Sequence, residues 1–176
     1  MLVLGIDPGT HRLGWAIVRK TGTRLQHVAH GVVHAKKESL GDRLVEIERA
    51  LIEIVREYRP DQASIESIFF HKDAQAAAKL GHARGVAMLV CARAGLVVAE
   101  YAPARVKRTV TGSGRAEKSQ VALMMRALLG LATPPPHDAA DALAIAVTHL
   151  QSSLPAALKR RSMVSPRIPS NGAQRK

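Results

Sequence analysis

The sequence predicts an α/β domain built on one mixed sheet. Three observations carry this. Short apolar runs open the chain and lie close together. Further apolar runs then alternate with longer segments of helical periodicity. Hydrophobic residues make up 47% of the 176 positions and there is a single cysteine, so the core must be held by apolar packing without an intrachain disulfide.

The elements follow in chain order. Leu2 to Asp7 reads as a buried strand, and Pro8-Gly9-Thr10 as a turn. Leu13 to Val18 reads as a second strand returning beside the first, and Arg24 to His34 as a third, which together make an antiparallel meander. From 40 to 58, Leu40, Leu44, Ile47, Leu51, Ile54 and Tyr58 recur at helical steps. Ser39 with Asp42 offers a cap and Pro60 a stop. Gln62 to Ser67 reads as a fourth strand carrying Glu66. An Ala-rich helix over 74–94 ends at Gly95, and Leu96 to Tyr101 forms a fifth strand. Pro103 to Gly114 reads as a loop, 116–129 as a helix, Pro134-Pro135-Pro136 as a stiff linker, and a last helix runs from near Asp138 to about Gln151. The domain is therefore expected over 1–151. Residues 152–176, with Pro, Ser, Asn and six basic residues, are expected to be a disordered tail.

The net charge is +12, and 152–176 carry +6 of it without a single acid. Such a balance favours polyanions, nucleic acid above all, although a basic tail also serves as a solubilising end. Cys91 lies in an apolar helical stretch and reads as core, in keeping with a reducing, cytoplasmic setting. The run Met1 to Ile6 lacks a basic flank and is too short for a signal peptide or a membrane span, so no membrane partner is expected.

Four acids stand out. Asp7 closes the first strand where Pro8-Gly9 turns the backbone away, and strand ends line the crevice of open α/β sheets. Glu66 sits in the apolar run Ser64-Ile-Glu-Ser-Ile-Phe-Phe70, where an acid must be paired, protonated or metal-bound. Asp138 and Asp141 share a face of the last helix at its first turn. Each acid alone is equally consistent with a strand-end ion pair or a helix cap. Together, in so basic a chain, they suit hard divalent cations such as Mg²⁺ between protein and phosphate. Two such ions can activate a water and stabilise the leaving oxygen in phosphodiester cleavage.

Asp7-Pro-Gly-Thr10 with Gly14-Trp15, Glu66 followed by Phe69, Lys79-Leu-Gly-His-Ala-Arg-Gly85, Pro103 through Lys107, Lys118, and Asp138-Ala-Ala-Asp-Ala-Leu-Ala-Ile-Ala146 resemble, in order and spacing over about residues 1–150, the crossover junction endonuclease RuvC family. The resemblance implies an RNase H-like fold with a five-stranded mixed sheet flanked by helices. It implies a homodimer acting on four-way Holliday junction DNA, with symmetric nicks leaving 5′-phosphate and 3′-hydroxyl ends in recombination and DNA repair. It further implies Asp7, Glu66, Asp138 and Asp141 as catalytic metal ligands for Mg²⁺ or Mn²⁺, two ions per site. Lys107 and Lys118 are then DNA-binding residues at the catalytic site, Phe69 is an aromatic that wedges at the junction centre, and the 74–94 helix is the dimer interface. The RuvA–RuvB branch-migration motor is the implied partner. His137, beside Asp138, reads as a loop histidine, and His71 and Lys72 acquire no role.

Three other readings remain at this point. A different RNase H-like nuclease would share the acids but not the spacing from Phe69 to Lys118. An actin-like ATPase would need a second Gly-rich phosphate loop and a second lobe. A non-catalytic DNA-binding module explains the charge and leaves four placed acids without a purpose.

Overall fold

The computed structural model describes residues 1–67 and 74–152. Phe69, Phe70, His71 and Lys72, and the tail over 153–176, lie outside the described residues, as do the expectations that fall on them. Five strands form one sheet: β1 (Leu2–Asp7), β2 (Arg12–Thr21), β3 (Arg24–His34), β4 (Gln62–Glu66) and β5 (Val98–Tyr101). Their order is β3-β2-β1-β4-β5. The β1–β2 and β2–β3 pairs are antiparallel, and the β1–β4 and β4–β5 pairs are parallel. This is the mixed, five-stranded, RNase H-like arrangement anticipated above.

Alternation of side chains divides the core in two. Val3 on β1 and Ala16 and Val18 on β2 face one side, where they pack with Val106, Val110, Val121, Met125 and the last helix. Leu4, Ile6, Leu13, Ile17, Ala63 and Ile65 face the other, packed against Ile47, Leu51, Ile54, Ala83, Ala87, Val90 and Cys91. Three layers result, helices on both faces of a sheet whose central strand, β1, contributes to both cores.

Helix α1 (Leu40–Tyr58) begins as its sequence dictates: the Asp42 amide donates to the Ser39 hydroxyl at 3.0 Å. The Asp42 carboxylate accepts from that hydroxyl at 2.7 Å instead of reaching back to the Ser39 amide. The helix ends at Arg59, whose φ of 47° is the left-handed conformation of a helix terminus, with Pro60 next. Asp61 then accepts from the Leu2 amide at 2.6 Å, tying the start of β4 to β1. Helix α2 (Ala74–Arg93) packs against α1 on the same face of the sheet. Strand β5 starts at Val98, two residues later than predicted; Val97 is 68% exposed, though its carbonyl still accepts from the Ala63 amide at 3.0 Å.

One element was missed from the sequence. Pro103–Thr111 is a helix, α3, where a loop was expected. Proline is at home in a first helical turn. Only Val106 and Val110 are buried, too few to stand out as a period among five polar or charged positions. Gly112 (φ 81°) ends it, and the Thr111 hydroxyl, donating to the Lys107 carbonyl at 2.8 Å, closes a compact turn instead of a flexible loop. Helix α4 (Lys118–Leu129) follows, with Glu117 and Gln120 forming a reciprocal cap. Helix α5 (His137–Ser152) is almost wholly buried from Ala139 to Leu150, apart from Asp141. His137 is thus an exposed residue of its first turn and not of a loop.

Candidate active site

Register brings the acids together. Ile6 pairs with Ile65 across the parallel β1–β4 ladder, so Asp7 and Glu66 end neighbouring strands at the same level. Both project toward the face covered by α5, since Ile6 and Ile65, one residue earlier, point into the opposite core. Helix α5 delivers Asp138 and Asp141 to this edge because two glycines let it lie against the strands. A Cβ on Gly5 would stand 2.1 Å from the Ala142 carbonyl oxygen, and one on Gly14 would stand 1.9 Å from the Asp138 carbonyl oxygen. Gly14 also pairs with Asp7 across β1–β2. The backbone of Asp138 therefore rests on the residue opposite Asp7.

Crowding of like charge follows. The Asp7 carboxyl is pushed up to about 8, first by burial and then by Asp141 and Glu66, with Lys118 opposing. Burial and Asp141 raise Glu66, against the pull of Lys118 and Lys107. Asp141 is likewise raised, chiefly by burial, while Lys118 and Lys107 pull it down. Groups that displace one another's titration in this way share a cluster, and perturbed carboxylates in a cleft are a mark of functional sites.

Both α5 acids have basic partners. Asp138 accepts from Arg12 Nε at 2.6 Å, and Lys118 Nζ lies 3.6 Å from an Asp141 oxygen. Among the described residues no three acidic or imidazole groups stand together as a ligand shell. The donor chemistry still fits a divalent metal. Four carboxylates offer only hard oxygen donors, and the raised Asp7 carboxyl reflects burial first and the neighbouring charges of Asp141 and Glu66 next.

Residues 3–149 match the family profile of the crossover junction endodeoxyribonuclease RuvC. The curated crossover junction endodeoxyribonuclease RuvC of Sorangium cellulosum is 56% identical over 154 residues, covering 87% of this chain and 86% of that protein. Its counterpart from Ruegeria pomeroyi is 50% identical, covering 93% and 99%. The chain belongs to the RuvC family. A solved structure of Thermus thermophilus RuvC in complex with Holliday junction substrate superposes with a TM-score of 0.79 at 37% identity, over 85% of this chain and 93% of that one. The yeast mitochondrial Holliday junction resolvase Ydc2, at 10% identity and a TM-score of 0.56, shares the fold.

Within this RuvC-family site, Lys107 lies on α3 and Lys118 opens α4, and both act electrostatically on Glu66 and Asp141. The sequence-predicted lysines thus face the acid cluster from two helices. Arg105, part of the same charge run, has a different place. Its guanidinium stacks over Tyr101 at 5.1 Å from the ring centre and donates to the Ser152 hydroxyl at 3.2 Å, fastening the start of α3 to the end of α5. Arg12 was not singled out from the sequence, where a charged residue opening a strand carries no signal.

Proposed function

We propose that this chain is a metal-dependent, structure-specific endonuclease that resolves four-way Holliday junctions by paired symmetric nicks leaving 5′-phosphate and 3′-hydroxyl ends, in recombination and DNA repair. The observation that carries the reading is the convergence of Asp7, Glu66, Asp138 and Asp141 at one sheet edge, beside Lys107 and Lys118, in a chain of the RuvC family. In this reading Asp7, Glu66, Asp138 and Asp141 are the catalytic residues and hold divalent cations, two per site, Mg²⁺ or Mn²⁺. Bound there, the cations would polarise the scissile phosphate and lower the pKa of the attacking water. The chain's own groups do the rest. Asp7, at the strand end, fixes the centre of the site. Lys107 and Lys118 bind the phosphates flanking the cut and offset the charge that develops there. Phe69, three residues beyond Glu66 and outside the described residues, serves as an apolar wedge that unstacks bases at the junction. The substrate reading is tested by cleavage of synthetic four-way, duplex and RNA–DNA hybrid substrates with Mg²⁺ or Mn²⁺. Selective, symmetric cutting of the four-way substrate is expected, and equal cutting of the hybrid would overturn it.

A junction presents two strands related by a two-fold axis, which calls for two identical sites in a homodimer. Helix α2 supplies a face for it. Ala78, His82, Gly85 and Leu89 recur at three- and four-residue steps and are all exposed. No atom of the described residues lies within 4 Å of a Cβ placed on Gly85, so none of them requires glycine there, although glycine mid-helix costs about 1 kcal/mol relative to alanine. A second α2 approaching closely supplies the reason. Leu89→Glu is expected to turn the dimer into monomers by light scattering and to uncouple the paired nicks. A variant that remains dimeric would place the interface elsewhere. No described helix is long and apolar enough to cross a membrane. In this reading the enzyme is cytoplasmic and receives junctions from the RuvA–RuvB branch-migration motor.

A further inference from the structure

Arg12 opens β2 and Lys118 opens α4, and the two flank the first turn of α5, each on one of its acids. Lys118 is absorbed by the function above and Arg12 is not. Its side chain is 56% exposed, against 24% for the Asp138 carboxylate it serves. Among the described residues the Nε–Asp138 contact is its sole side-chain hydrogen bond, and the two outer nitrogens of the guanidinium bond to none of them. A guanidinium with a free planar fork at the rim of a phosphodiesterase site has the shape that grips a phosphate through two parallel bonds.

We propose that Arg12 is a DNA-binding residue that exchanges partners: it neutralises Asp138 in the metal-free protein and turns to a backbone phosphate beside the cut once a divalent cation has taken over that carboxylate. The inference rests on the metal-site reading of Asp138. Its physical basis is a charge balance. Asp138 stands among Asp7 and Asp141, so without metal it needs a counter-charge, and Arg12 is the one at hand. A divalent cation shared by these carboxylates removes that need and repels the guanidinium. An exposed arginine can swing away with little loss of packing, and the phosphate drawn to the cation offers it a new anion.

The test compares wild type, Arg12→Ala and Arg12→Lys without relying on cleavage. Calorimetric titration with Mn²⁺ in the absence of DNA is expected to show about two- to fivefold tighter binding to Arg12→Ala, the range for removing a half-exposed competing ion pair. Four-way junction affinity is then measured over a salt series, with Ca²⁺ and without divalent cation. With Ca²⁺, the log–log salt slope of Arg12→Ala should be shallower than wild type by about 1, one phosphate contact. Without divalent cation the two slopes should coincide, and Arg12→Lys should keep the wild-type slope in both. A slope difference of the same size with and without Ca²⁺ would mean a constitutive contact and overturn the exchange. So would unchanged metal affinity together with unchanged slopes. A wild-type protein that binds no Mn²⁺ would instead refute the metal site itself, and the exchange with it.

Discussion

Asp7→Asn is expected to abolish junction cleavage and at the same time to stabilise the metal-free fold. The two effects share one cause. The Asp7 carboxyl is raised from 3.8 to about 8, first by burial and then by Asp141 and Glu66. In the unfolded chain it ionises near pH 4, so between pH 4 and 8 the unfolded state binds fewer protons than the folded one. Stability therefore falls as pH climbs through that window and levels off above it. Asparagine carries no such penalty. At pH 8 the variant should be more stable by several kcal/mol, since about four pKa units at about 1.4 kcal/mol each set a ceiling of about 6 kcal/mol, and its Tm should be higher by on the order of 10 °C. Below pH 4 the two proteins should melt together. Added Mg²⁺ should raise the Tm of wild type at pH 8, where binding would release the remaining carboxyl proton to solvent, and leave the variant unmoved. Junction binding without metal should persist, because basic residues carry it. Thermal melts over a pH series, with cleavage and binding assays, check all of this. A variant that cuts normally, or melts below wild type at pH 8, removes Asp7 from the metal site.

Gly14→Ala is expected to cost about 100-fold in cleavage rate while touching no reacting group. Its Cβ would stand 1.9 Å from the Asp138 carbonyl oxygen and 2.4 Å from its carbonyl carbon. Both are helix backbone, so the first turn of α5 must lift by about 1 Å or more. A displacement of that size at a positioned group is worth about two orders of magnitude in rate. The strain of forcing an extra methyl into packed backbone adds roughly 1–3 kcal/mol of destabilisation. Single-turnover cleavage at saturating protein, beside a thermal melt, separates the two losses. A wild-type rate from a folded Gly14→Ala protein would show that Asp138 and Asp141 need not sit where β2 holds them.

These two residues mark how far the sequence could be read. Asp7 and Glu66 were legible because a carboxylate closing an apolar run is costly unless it has a use. Asp138 and Asp141 were legible as a pair on one helical face. The long, strongly patterned elements were equally clear: the bounds of β1, β3 and α1 agree with their apolar periods. Helix α3 was hidden because nine residues with two buried valines offer too little periodicity to compete with a proline, a glycine pair and a run of charge. Gly14 was visible as a glycine, but its purpose lies in a helix more than 120 positions away, and local pattern holds no trace of such an approach. The Arg12–Asp138 contact spans 126 positions and was hidden for the same reason.

Helix α5 carries a consequence for the order in which this enzyme comes into being. It supplies two of the four acids, and its side chains make up nearly half of the buried residues of one of the two cores. On the ribosome, Asp7 emerges early and Asp141 follows only after another 134 residues, on the order of ten seconds at ordinary rates of synthesis. Through that interval the nascent chain lacks the helix that covers one face of its sheet and two of the four proposed ligands. It can neither complete its fold nor hold metal to cut DNA. Nuclease activity therefore arrives in one step, with the docking of the last described helix, and a chain interrupted before it leaves behind no partial enzyme able to nick a chromosome.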